Sequence, residues 1–227
     1  MSHYESKIVK HKLREIVSNL TNESRMAFPG SEEYWNNRYI TGGNSGPGSF
    51  NILAAFKAEI INHFVKENNI TTVIEFGCGD GNQLKLSNYP VYIGFDVSIK
   101  SIEICRNIYR NSPNKSFILV KDYSGEKAEL TLSLDVIFHL IEDDVFHRYM
   151  QLLFDASERY VIIYSSNTDF NLVYQAPHVF HRNFTKWINK RLRGWKLISY
   201  IPNRYPHLGD DNTGSFADFY IFEKIGI

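Results

Sequence analysis

Residues 73–84 read VIEFGCGDGNQL, and no other stretch constrains the fold as tightly. An apolar strand runs into Gly77, Gly79 and Gly81 and then into a helix-competent segment. Alternating glycines let the backbone reverse sharply and come close to a ligand, which a Cβ would block. The helix that follows offers unpaired N–H groups to an acceptor. A glycine turn can also be a plain connector, so its surroundings decide what it is for.

Those surroundings are a run of alternating elements. Short apolar stretches bounded by turn residues predict strands at 72–76, 91–95, 117–120, 130–134 and 160–164. Helical stretches are expected between them, a short one at 82–86 and longer ones at 98–109 and 143–156, where Asp143 and Asp144 open the helix. Strands apolar throughout and alternating with helices imply a parallel sheet covered on both faces. Right-handed crossovers then give an α/β, doubly wound, Rossmann-like fold. The tail departs from this, because 195–201 and 216–222 are strand-like runs with no long helix between them. They predict an antiparallel hairpin at the sheet edge.

Upstream, Ile52, Ala55, Phe56, Ile60, Phe64 and Val65 form an amphipathic stripe, with Asn51 as the expected N-cap. A further helix is expected over 5–20, from Ile8, Val9, Leu13, Ile16, Val17 and Leu20. The stretch 41–49, TGGNSGPGS, separates an N-terminal helix and glycine-rich segment (1–50) from the main domain (51–227).

The 25 basic and 25 acidic side chains cancel, which argues against a broad electrostatic grip on nucleic acid or anionic lipid. Two cysteines, Cys78 and Cys105, are too few for a disulfide framework. No apolar run approaches membrane-spanning length, and residues 1–20 are mixed and charged rather than signal-like. A cytoplasmic protein, monomer or homodimer, is the expectation.

Three features sharpen the glycine turn. Glu75, at the end of the first strand, would repel a pyrophosphate but attract an ammonium or sulfonium group. The dinucleotide pattern G-x-G-x-x-G fails, with Asn82 or Leu84 in its last position. Asp96 closes the second strand, about 20 residues on, where a carboxylate takes ribose hydroxyls. The pattern E-x-G-x-G-x-G followed by that aspartate resembles the class I S-adenosylmethionine-dependent methyltransferases, over roughly 51–224.

The resemblance implies a seven-stranded sheet whose last strand is antiparallel, with S-adenosyl-L-methionine as cofactor. Glu75, Gly77 and Gly79, with Cys78 and Gln83 of the same turn, would surround its methionine end and sugar, and Asp96 its ribose. Asp122 would meet the adenine amino group, with Tyr123 or Val97 flanking the ring. Ser133, Leu134 and Asp135 would lie beside the reacting centre, as would His139, whose ordinary pKa suits a base near neutrality. Similar Trp/Arg/Tyr segments in some small-molecule members fold over the cofactor. Here Arg38 would take its carboxylate, with Tyr34, Trp35 and Tyr39 as the roof.

The loop after the fifth strand carries His178, His181 and Arg182, and the last loop carries Arg204, His207 and Asp210. Loops beyond the carboxyl ends of parallel strands are where such folds place substrates. His178 and His181 are further candidate bases; two imidazoles alone are too sparse for a metal, and none is expected. Tyr164, Arg182, Arg204 and His207, together with Tyr34 and Tyr39, are the expected acceptor contacts. So many polar groups suit a polar small molecule, a sugar, a sugar nucleotide or a surface-glycan precursor, methylated on oxygen or nitrogen. The alternatives are a methyltransferase acting on RNA or protein, or a non-catalytic binder of the same cofactor. A nicotinamide-dependent oxidoreductase is disfavoured by Glu75 and Asn82.

Overall fold

The sheet puts the glycine turn at its centre. The structure, a computed structural model, describes residues 28–172 and 175–226. The helix expected over 5–20 lies outside the described residues. The described chain begins with helix α1 (Ser31–Ile40) and, after a glycine-rich loop, α2 (Asn51–Glu67). There follow β1 (Thr72–Phe76), β2 (Val91–Asp96), α3 (Ile99–Ile108), β3 (Lys115–Leu119), β4 (Ala128–Leu134), α4 (Asp143–Asp155) and β5 (Ser157–Ser165). Helix α5 (Phe184–Arg191), β6 (Trp195–Ile201) and β7 (Asp218–Lys224) complete it.

The seven strands lie in the order β3-β2-β1-β4-β5-β7-β6. β7 runs antiparallel to both β5 and β6, and the pairs from β3 to β5 are parallel. The fold is therefore the doubly wound α/β sheet with a terminal antiparallel hairpin. Among the described residues, no helix is long and apolar enough to cross a membrane.

Side chains alternate across the sheet. Val73, Tyr92, Leu130, Leu132 and Ile162 pack with Phe56 and Ile61 of α2 and Ile102 of α3. Ile74, Phe76, Phe95, Val161 and Ile163 pack with Phe146, Met150 and Leu153 of α4 and Ile188 of α5. Burial on both faces explains why these strands read as continuous apolar runs.

Three local expectations change. The buried face of α2 is Leu53, Ala54, Phe56, Lys57, Ala58, Ile61 and Val65, which is rotated from the expected stripe and leaves Ile52 exposed. Asn51 is the first helical residue, with φ +51°, rather than the cap. The short helix expected after the glycine turn is a single 3-10 turn, Gln83–Leu86.

The chain leaves β1 toward β3 and returns to β4 on the other side of β1, which makes the gap beyond β1 and β4 the topological switch point. The two loops close on each other there. A Cβ added to Gly77, which has φ +85°, would come within 2.4 Å of Val136 Cγ2. Gly77→Ala should therefore combine backbone strain with overpacking and lower stability by roughly 2 kcal/mol or more, measured by urea unfolding.

Candidate active site

A cavity of about 460 Å³ opens at this switch point, a size suited to a small-molecule ligand. Its wall includes Glu75, Gly77, Cys78, Gly79, Gln83, Asp96, Val97, Leu134, Asp135 and His139, the expected positions nearest the turn, with Trp35 and Tyr39 from α1.

Glu75 reaches this wall from the centre of the sheet, where its backbone pairs with Gly94 and Leu132. The Tyr92 hydroxyl donates to Glu75 Oε2 at 2.6 Å. Burial pushes the Glu75 carboxyl up to about 7, although that hydrogen bond and the nearby Lys57 charge pull the other way. Asp96 accepts from the backbone N–H of Gly79 and of Ser98, each at 2.9 Å. Its carboxyl is raised by burial, against the pull of those donors.

Asp135 follows β4 at φ +59°, a left-handed conformation that aspartate adopts more readily than most residues. Its carboxylate accepts from Lys57 Nζ at 2.5 Å. Lys57 is 1% exposed and lies 5.4 Å from the Tyr164 ring centroid. Gln83 donates through Nε2 to the Ala54 carbonyl at 3.0 Å, while its Oε1 is buried without a hydrogen-bond partner among the described residues.

His139 contacts Trp35 edge-on, with ring centroids 4.8 Å apart. Its Nδ1 lies 2.7 Å from the His178 carbonyl oxygen, which can only accept. Nδ1 therefore carries the proton, and Nε2 is left as an acceptor. Burial lowers the imidazole to about 3. The ring is thus neutral and ready to accept a hydrogen bond, but it is far from the near-neutral value that suits a general base.

The roof is latched at both ends. Gly30 gives α1 no side-chain cap, and Glu142 takes over by accepting from Ser31 N–H at 2.8 Å and from Ser31 Oγ at 2.6 Å. Asp80 in the glycine turn and Ser45 in the loop exchange hydrogen bonds, Ser45 N to Oδ2 at 3.1 Å and Asp80 N to Oγ at 2.9 Å. A Cβ on Gly79 would come within 2.3 Å of Ser45 Oγ, so the loop seats directly on the turn.

Other expected contacts lie off the cavity wall. Arg38 donates through Nε to the Asn44 carbonyl and packs against Trp35. Tyr34 stacks on His178, with centroids 4.6 Å apart. His181 is hydrogen-bonded to Ser166 Oγ. Arg182 is committed to the carbonyls of Leu140 and Ile141 and to Asp143. Arg204 pairs with Glu59 and His207 with Asp211. Asp122 is exposed and Val120 lines the wall in its place, while Tyr123 donates its hydroxyl to the Glu126 carbonyl. Ser133 and Tyr164 are buried beneath the site, Ser133 bonded to Tyr149 and Tyr164 to Asn203. Lys57 and Tyr149 are lining residues the sequence did not single out.

No protein-family model matches the chain, and no curated protein does. Solved structures do. The N-methyltransferase NodS from Bradyrhizobium japonicum, in complex with S-adenosyl-L-homocysteine, is similar over 86% of this chain and 98% of its own, at TM-score 0.66 and 10% identity. The small RNA methyltransferase HEN1 is similar over 77% of this chain and 25% of its own, at 0.56 and 18%. Magnesium protoporphyrin IX methyltransferase from Synechocystis with bound SAM is similar over 74% of this chain and 78% of its own, at 0.54 and 13%. At these identities the likeness is one of fold.

Two outcomes follow from the geometry. The His139 ring, followed by nitrogen NMR, should stay neutral with its proton on Nδ1 from pH 8 to pH 5. Glu142→Ala should speed amide exchange across 31–50 while leaving the exchange of β1 and β4 unchanged.

Proposed function

We propose that this chain, which has the fold of the S-adenosylmethionine-dependent methyltransferases, binds S-adenosyl-L-methionine and transfers its methyl group to an oxygen or nitrogen of a polar small molecule. One observation carries the reading. The cavity wall holds Glu75, Asp96 and Asp135 against a single buried cation, Lys57, and adds the unpartnered acceptor Gln83 Oε1. That donor set fits a cationic ligand bearing an ammonium and hydroxyls, and it would repel a diphosphate.

When bound, S-adenosylmethionine supplies a methyl group made electrophilic by its sulfonium. Glu75 and Gln83 suit the amino-acid end and Asp96 the ribose, with Val97 and Val120 available to the base. The chain's own work is then positioning and exclusion of water. Trp35 and Tyr39 line the cavity from α1, where a lid would open for entry and release. Asp135 and His139 present acceptors to the hydroxyl or amine of the incoming molecule. His139, being neutral, orients that proton more than it stores it.

The acceptor reading narrows at the rim. Arg182, Arg204 and His207, the side chains expected to hold the acceptor, are engaged elsewhere. An uncharged hydroxyl compound or an amine suits the acidic wall better. An RNA acceptor, the substrate named for HEN1, would bring phosphates to the same carboxylates.

Calorimetric titration tests this. S-adenosylmethionine should bind and NAD should not. A cationic ligand favours ionised Glu75, so binding should strengthen as pH rises from 6 through the carboxyl's value of about 7 and level off above it. Glu75→Gln should weaken binding and remove that dependence. Failure of the native protein to bind would overturn the reading.

A further inference from the structure

Lys57 is buried to an unusual degree for a lysine, at 1% exposure, and it lines the cavity. Its ammonium has three hydrogens, yet among the described residues only Asp135 Oδ2 accepts one. The ring of Tyr164 covers another side at 5.4 Å from its centroid. Leaving ammonium hydrogens unsatisfied in a buried position is costly, and native structures rarely do so without a reason.

A complementary deficit lies one helical turn away. Gln83 is tied by its Nε2 to the carbonyl of Ala54, three residues before Lys57 on α2 and on the same buried face. Its Oε1 faces no donor. Spare hydrogens on a cation, beside an orphaned acceptor and the Glu75 carboxyl, are the inverse of a zwitterionic α-amino acid. The other permanent cation on the wall, Arg148, is 71% exposed and paired with Asp144 at 2.7 Å. Arg38 is held away by Asn44 and Tyr34.

We propose that Lys57 anchors the carboxylate of the cofactor's amino-acid tail, with Asp135 as the counter-ion that shares the ammonium. The proposal rests on the S-adenosylmethionine reading. The carboxylate and Asp135 then compete for one cation, so seating the tail loosens Asp135 and leaves it freer to accept from the methyl acceptor.

The test compares S-adenosylhomocysteine with its decarboxylated analogue by calorimetry, on the native protein, Lys57→Met, Asp135→Asn and the double variant, each first checked by thermal unfolding. The native protein should prefer the carboxylate-bearing ligand by about ten-fold or more, the worth of a charge-assisted contact. Lys57→Met should abolish that preference, whatever its effect on the affinity shared by both ligands, and Asp135→Asn should enlarge it. The double variant guards against an indirect effect. If Lys57 only neutralises Asp135, removing both restores the preference, which overturns the proposal. Equal native affinity for the two ligands also overturns it. If neither ligand binds at all, the cofactor reading itself fails, which is a distinct result.

Discussion

The site is organised by an imbalance of buried charge. Glu75, Asp96 and Asp135 are brought to one crevice by the ends of β1, β2 and β4, and only Lys57 balances them from within. In a low-dielectric setting such an excess is met either by proton uptake or by a cation. The molecule uses partial remedies. Glu75 leans on the Tyr92 hydroxyl, Asp96 on two backbone donors, and Asp135 on the ammonium. Glu75 still sits near 7, poised between proton and counter-ion. A positively charged ligand would complete what the side chains leave undone.

The roof depends on the same economy of partners. Helix α1 has no cap of its own, and the carboxylate that caps it belongs to Glu142, just ahead of α4. Its trailing loop is fastened to the glycine turn through Ser45 and Asp80. Both latches consist of a few polar, part-buried hydrogen bonds, without the close apolar packing of the floor. The floor is different in kind. Gly77 against Val136 is a van der Waals contact with no room to spare, so the turn cannot yield. A tightly packed floor under a hydrogen-bonded roof is the division of labour that the proposed function would require for entry, enclosure and release.

The sequence announced the floor and hid the cation. Glu75, the glycines and Asp96 were legible because strand, turn and strand end are local patterns, each with its own chemistry. The sheet and its terminal hairpin followed from apolar runs for the same reason. Lys57 was not legible. It lies within an amphipathic helix, where a lysine reads as a solvated residue, and the expected stripe of Ile52, Ala55, Phe56, Ile60, Phe64 and Val65 did not include it. Only the packing of α2, which buries Leu53, Ala54 and Ile61 instead, turns Lys57 inward. Arg38 and Arg182 present the opposite case, expected as ligand contacts and found bonded to the scaffold. Their partners are the carbonyls of Asn44, Leu140 and Ile141, and a backbone acceptor leaves no mark in a sequence.

Arg182 shows what such a reassignment means for chemistry. Its guanidinium packs over Phe180 at 4.4 Å and Phe146 at 4.9 Å while tying the segment after His139 to the start of α4. That segment also supplies Glu142, the cap of the roof helix, and carries the Ile141 N–H that donates to Ser31 Oγ. One arginine therefore steadies both the His139 wall and the latch above it. A phosphate drawn to this guanidinium would have to break the bonds that hold the site together. Under the proposed function, discrimination against anionic acceptors would then come from the scaffold as well as from the cavity's own charge.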